Sequence, residues 1–341
     1  MPIRIAIDAM GGDHAPRALV RGAVDALRDE HDLRILLIGD EPRVRQELEA
    51  ANANGLSDRI SVVHASEVVG MEESPIASLR TRKDSSVLRM AELAAAGEAD
   101  AVLSAGHTGA CAAACQLRIR PLSCVTRPGI AVTIPSFHGP FVLCDVGANI
   151  QAKPVHLYEY AVMASIYAEK VIDIANPRVA LISIGEESGK GTGLVRKADE
   201  LLRADPDINF VGNAEGRELF EGRCDVAICD GFVGNIVLKF TEGLAGGLFP
   251  TIAREFESEA PDLRKRFNEA LQRVWDRHDY SRYGGAPLLG IDGVCIICHG
   301  RSNEVAIANA VRVARRFVER DINETIASRL GSRSAPRTLR T

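Results

Sequence analysis

The chain has 341 residues, 46% of them hydrophobic, ample for a packed core in one large α/β domain or two smaller ones. Its 41 basic and 46 acidic residues leave a net charge of -5 with no basic run in the body, which argues against nucleic acid as a partner. No apolar stretch approaches the roughly twenty residues of a membrane span, and the N-terminus enters a strand directly with no signal peptide, so a cytoplasmic location is expected.

Ile3, Ile5 and Ile7 alternate as one face of a strand, and Gly11 and Gly12 then admit backbone conformations closed to other residues. Pro16 suits the first turn of a helix that Leu19, Val20, Ala23, Val24 and Leu27 continue at helical spacing. Further strand-like runs cover 34–38, 60–63, 101–103, 130–133, 141–144, 179–184, 210–211, 226–229 and 294–297. They alternate with helical text, which predicts a three-layer α/β/α fold with a mostly parallel, mixed sheet and helices on both faces. The alternation stops between Leu244 and Trp275. There Leu244, Leu248, Ile252 and Phe256 form one apolar stripe and Leu263, Phe267, Leu271 and Val274 another, with Glu259, Ala260, Pro261 and Asp262 as the break. This predicts a helical hairpin at about 240–280, inserted in one α/β domain over 1–330 and packed on itself or across a dimer. Residues 331–341, rich in Ser, Arg and Pro, read as a disordered tail.

The eight cysteines make no disulfide framework, and several, Cys144 and Cys229 among them, sit in apolar text, so they read as reduced buried thiols. Cys295 and Cys298 have CxxC spacing, but on a strand i and i+3 face opposite sides, and a lone pair is a poor zinc candidate.

In open α/β sheets ligands bind beyond the carboxyl ends of strands. Glycine-rich strings follow strand text here as AIDAMGGDHAP (Ala6–Pro16), SAGHTGA (Ser104–Ala110), DVGAN (Asp145–Asn149), GEESGKG (Gly185–Gly191), DGFVGN (Asp230–Asn235) and HGRSN (His299–Asn303). Six such loops are expected to line one rim. A strand, a glycine turn and a helix N-terminus bring unpaired N–H groups and the helix dipole together, which suits phosphate. Lys190 is the candidate cation, although a loop lysine is ordinarily solvated. The loop is no nucleotide P-loop: only three residues separate Gly185 from Gly189, and Gly191 follows Lys190 where Ser or Thr belongs. No dinucleotide fingerprint occurs either. Asp230 can orient a lysine or hold a ligand hydroxyl, and Asn235 opens a helix; turn and cap duty is the plain alternative. Asp8 and Asp13 would repel phosphate, so they position His14 or the backbone. His299 can donate to phosphate or to a leaving thiolate, or serve structure alone.

Taken in order, these strings, with YGGAPLLG at Tyr283–Gly290 and HG at His299–Gly300, resemble the phosphate acyltransferases over roughly residues 1–330. Those bacterial enzymes convert acyl-acyl-carrier-protein and orthophosphate into acyl phosphate for phospholipid synthesis. The resemblance implies a fold like that of isopropylmalate dehydrogenase and phosphate acetyltransferase. It implies catalytic roles for Lys190, Asp230 and His299. Phosphate or substrate contacts fall to Asp8, Gly11, Gly12, Asp13, His14, Gly106, His107, Thr108, Gly109, Asn149, Asn213, Gly231, Asn235 and Gly300. It also implies no cofactor and no metal, a homodimer, weak peripheral contact with the inner membrane face, and hand-over of the product to a glycerol-3-phosphate acyltransferase. His107 stands where relatives usually have asparagine; both side chains donate hydrogen bonds, so a positioning role is expected to survive. Two other readings compete: a phosphate acetyltransferase-like enzyme on short acyl-coenzyme A, and a non-catalytic, membrane-associated scaffold that binds acyl carrier protein.

Overall fold

The computed structural model describes residues 2–332 apart from 258, 260 and 279, so the expected tail beyond 332 and Ala260 of the hairpin break lie outside the described residues. Its strands are β1 (Ile3–Asp8), β2 (Leu33–Gly39), β3 (Ile60–His64), β4 (Ala101–Ser104), β5 (Gly129–Ile134), β6 (Phe141–Cys144), β7 (Val179–Ile182), β8 (Phe210–Ala214), β9 (Val226–Ile228), β10 (Ala286–Leu289) and β11 (Val294–Ile297). They form one mixed sheet in the order β3-β2-β1-β4-β11-β10-β5-β6-β9-β7-β8. The helices are α1 (Arg17–Asp29), α2 (Glu41–Ala50), α3 (Pro75–Thr81), α4 (Ser86–Ala95), α5 (Thr108–Arg118), α6 (Pro154–Lys170), α7 (Gly193–Arg203), α8 (Gly231–Glu255), α9 (Pro261–His278), α10 (Glu304–Glu319) and α11 (Ile322–Gly331).

Strand direction decides where the loops go. β2, β3, β4 and β11 run parallel with β1. Three successive antiparallel pairings, β11 with β10, β10 with β5 and β5 with β6, then reverse the chain. β9, β7 and β8 follow β6 in parallel. The sheet is therefore two parallel blocks pointing opposite ways, with β10 and β5 between them.

Each strand run expected from sequence is present, with β7 ending at Ile182 and leaving Ile184 82% exposed. β10 was not foreseen. It contains Pro287, which has no N–H for the ladder, and it is only four residues long between Gly285 and Gly290, both at positive φ.

Helices cover both faces. On one, α1 buries Leu19, Val20, Ala23, Val24 and Leu27 beside residues of α6, α7, α10 and α11; each larger side chain stabilises the fold by about 1.5–3 kcal/mol relative to exposure. On the other, α4, α5 and the inner side of α8 contribute to a second core. Along β11 the faces alternate as the strand period requires, Ile296 and Cys298 entering the first core and Cys295 and Ile297 the second.

The hairpin exists and begins earlier than expected, at Gly231. Phe256 stacks on Phe267 with ring centroids 3.5 Å apart, and Phe249 meets Trp275 edge-on at 5.0 Å, so the two arms hold each other near the turn. Lower on α8 the stripe is uncovered: Phe232, Ile236, Phe240, Leu244 and Leu248 recur every fourth residue and are 49% to 70% exposed. At 25 residues, α8 is long and apolar enough by length and composition to cross a membrane, which corrects the expectation that no such stretch occurs. Lys239 and Glu242 break the apolar text that would have signalled it; they pair at 2.8 Å, while Val233, Val237 and Leu238 pack the inner side on the sheet.

Candidate active site

Because the two blocks of the sheet run in opposite directions, the six glycine-rich loops do not share one rim. The loops after β1, β4 and β11 lie at one edge, and those after β6, β9 and β7 at the opposite edge. The expectation of a single rim fails because three antiparallel pairings, one of them through the unforeseen β10, reverse the second block. Three helices start from the loops of each edge: α1, α5 and α10 at the first, α6, α7 and α8 at the second. Each edge thus has several helix N-termini available to an anion.

At the first edge the backbone of one loop is pressed into that of another. A Cβ on Gly11 would lie 2.6 Å from the Gly106 nitrogen and 2.7 Å from Asp8 Oδ2, so glycine alone fits. Gly12, at φ +101°, sits against the carbonyls of Ala105 and Gly300, and the Asp13 N–H donates to the Gly300 carbonyl at 2.8 Å. Beneath them runs a relay: the Gly106 N–H donates to Ser104 Oγ at 3.1 Å, and Ser104 donates to Asp8 Oδ2 at 2.7 Å. Asp8 also accepts from the Met10 N–H at 3.2 Å. Burial pushes the Asp8 carboxyl up from its ordinary range, against hydrogen bonds from Ser86 and Ser104. Asp8 is thus a buried organiser of the loop backbone, while Asp13 and His14 are exposed beside it. Ser104, not singled out from sequence, is the link; its signal was the serine that opens SAGHTGA.

His107 is the N-cap of α5, its Nδ1 accepting from the Gly109 N–H at 3.1 Å. The donor role expected of it is corrected at this atom: Nδ1 accepts, as a capping asparagine oxygen would. Thr108 is exposed in the first turn. His107→Asn is expected to leave stability within about 0.5 kcal/mol, whereas His107→Ala costs about 1 kcal/mol, read from denaturant unfolding.

At the second edge Asp145 is fully buried and accepts from four backbone N–H groups, those of Ile130, Gly147, Ala148 and Asn149, at 2.6 to 3.2 Å. Burial pushes its carboxyl up and these bonds oppose that. Asp145 shapes the DVGAN loop, a role not assigned from sequence although the residue heads the string. Asn149 spends its side-chain amide on the Pro128 carbonyl at 2.6 Å, and its own carbonyl accepts from the Gly231 N–H at 2.9 Å. Asp230 caps α8, its Oδ1 accepting from Phe232 and Val233 N–H, each at 3.0 Å. The helix therefore opens at Gly231, and Asn235 stands exposed one turn inside it rather than at its start, with its side chain facing Gly147.

Lys190 is exposed on the neighbouring loop, held by its own N–H donating to the Glu187 carbonyl at 2.9 Å. Asn213, on β8, donates to that same carbonyl at 3.0 Å, which leaves its buried Oδ1 and the Ser183 Oγ beneath the loop without partners.

α8 connects the edges. It starts at Gly231, and Glu242, eleven residues and a rise of about 17 Å further on, comes within 3.9 Å of His299 Nε2. His299 and Gly300 therefore stand with Asp8, Gly11, Gly12, Asp13, His14, Gly106, His107, Thr108 and Gly109. Lys190 and Asp230 stand with Asn149, Asn213, Gly231 and Asn235 at the far edge, so one chain does not bring the expected catalytic three together.

The family model described as fatty acid synthesis protein matches residues 3–325. The phosphate acyltransferase of Heliobacterium modesticaldum is 48% identical over 336 residues, 98% of this chain and 99% of that protein. That of Pelotomaculum thermopropionicum is 47% identical over 332 residues, 97% and 96% respectively. Among solved structures, a phosphotransacetylase from Streptococcus pyogenes has a TM-score of 0.64 at 18% identity, covering 93% of this chain and 94% of its own. EutD phosphotransacetylase from Staphylococcus aureus has a TM-score of 0.58 at 15% identity with the same coverage. These two likenesses speak to the fold alone.

Proposed function

This chain belongs to the phosphate acyltransferase family and is an acyltransferase, and on that premise we propose that it moves a long-chain acyl group from acyl carrier protein to orthophosphate, the acyl phosphate serving phospholipid synthesis. The observation that carries the reading is 47% and 48% identity to phosphate acyltransferases over nearly the full length, together with glycine-rich loops at the strand ends where anions bind.

A phosphate oxygen attacks the thioester carbonyl; the C–O bond forms, the C–S bond breaks, and the electron pair leaves on the carrier's thiolate. The dianion is nucleophilic by itself, so the protein supplies position and charge. The first-edge loops, with the N–H groups at the start of α5, hold phosphate. Lys190 stabilises the oxyanion, Asp230 fixes the helix and loop beside it, and His299 donates a proton to phosphate or thiolate.

Two edges about 17 Å apart along α8 cannot both touch one thioester. We place the complete site between two copies, the first edge of one facing the second edge of its partner, with the uncovered α8 stripe as the seam. The homodimer is thus part of the chemistry. The protein acts in the cytoplasm, touching the inner membrane face through Arg264, Lys265 and Arg266 at the start of α9 and passing its product to a glycerol-3-phosphate acyltransferase. Each basic residue contributes about 1 kcal/mol near anionic lipid, so vesicle flotation should show weak binding abolished by salt or by neutralising the trio; tight, salt-independent binding would contradict this.

Turnover in chelator-treated protein tests the cofactor-free mechanism. Full activity that requires orthophosphate is expected. Activity lost to chelator and returned by zinc or magnesium would overturn it.

A further inference from the structure

Cys111 and Cys115 lie one turn apart on α5, and Cys295 on β11 packs with them in the same core. All three are buried, and their sulfurs lie within 4.8 Å of one another, Cys111 and Cys295 at 3.7 Å. Three bonds of about 2.3 Å to one centre hold the sulfurs about 3.5 Å apart when pyramidal and about 4 Å when planar, so the Cys111–Cys295 pair already has the spacing of a three-coordinate site and Cys115 lies close enough to complete it. Cys298, the other half of the CxxC pair, enters the opposite core and takes no part.

Charge selects the occupant. Three thiolates would bring three negative charges into an interior that also holds the Asp8 carboxyl, and uncompensated buried charge is costly. Zinc leaves the set negative and wants a fourth ligand; monovalent copper, though soft, cancels a single charge. A trivalent centre bonded to three sulfurs is neutral. We infer that Cys111, Cys115 and Cys295 form a binding site for trivalent arsenic, loaded from arsenous acid. Three As–O bonds break and three As–S bonds form; each hydroxyl leaves with a thiol proton as water, and arsenic stays trivalent, so no oxidant or reductant is needed. Loading is slow, because the buried thiols react only when α5 opens locally.

The site sits directly behind the first edge. Cys111 lies one turn into α5, the helix that starts from the His107 cap immediately after the Ser104–Gly106 stretch of the relay from Asp8. Bonding α5 to β11 through arsenic fixes that relay, so a loaded enzyme loses turnover; this last consequence alone rests on the proposed function.

The test is arsenite added to the reduced full-length protein. Native mass spectrometry should show one arsenic per chain with three waters lost, and three of the eight thiols should resist a thiol reagent after rapid denaturation. Cys295→Ser and Cys115→Ala, with melting curves matching the parent, should each weaken capture at least tenfold, and Cys298→Ser should not. No adduct, an adduct that survives both substitutions, an adduct lost in Cys298→Ser, or zinc or copper(I) binding in preference to arsenite would overturn the inference.

Discussion

Replacing Lys190 with alanine lowers kcat by roughly a hundredfold or more, the size of effect seen when one oxyanion donor is lost. The thermal midpoint should stay where it is, since the side chain is exposed and the loop is held by the Lys190 backbone N–H, which alanine keeps. The drop should fall on kcat more than on KM if the ammonium acts on charge that develops in the transition state. Lys190→Arg keeps charge while displacing it, so it should recover part of the loss. Steady-state kinetics on the three proteins decide the matter; a normal kcat for the alanine variant would reduce Lys190 to a solvated loop residue.

Mixing two nearly inactive variants restores turnover. Lys190→Ala damages the second edge and His299→Ala the first, and the two residues stand at opposite edges of the sheet in every chain. In a two-fold dimer whose sites are shared, a mixed dimer carries both lesions in one site and neither in the other. Equal mixing makes half the dimers mixed, so about a quarter of wild-type activity should return. Subunit exchange is followed by native mass spectrometry on mass-tagged chains. Exchange without recovery would contradict a site shared between copies. Phe240→Asp with Leu244→Asp, on the exposed α8 stripe, should then give monomers by sedimentation and abolish the effect.

The fold was largely readable from periodicity, because β-branched alternation and the 3.6-residue stripe of α1 report burial directly. β10 escaped, since Pro287 and flanking glycines suppress a strand signal and only its central position in the sheet enforces one. That one strand mattered, as it takes part in the antiparallel pairings that reverse the second block and separate the loops. Candidate residues came from local strings, and a string carries no information about which edge it ends on. Asp145 and Ser104 were missed because each works inward on backbone N–H groups, which only tertiary contact reveals. The three-thiol cluster joins residues 184 positions apart, beyond any local pattern.

We propose above all the transfer of an acyl group to inorganic phosphate. It is tested most directly by supplying the protein with long-chain acyl-acyl carrier protein, with and without orthophosphate, and trapping acyl phosphate with hydroxylamine. Long-chain hydroxamate and stoichiometric free carrier are expected in the presence of orthophosphate, and neither in its absence. Carrier binding without hydroxamate, or hydroxamate formed only from short acyl-coenzyme A, would contradict it.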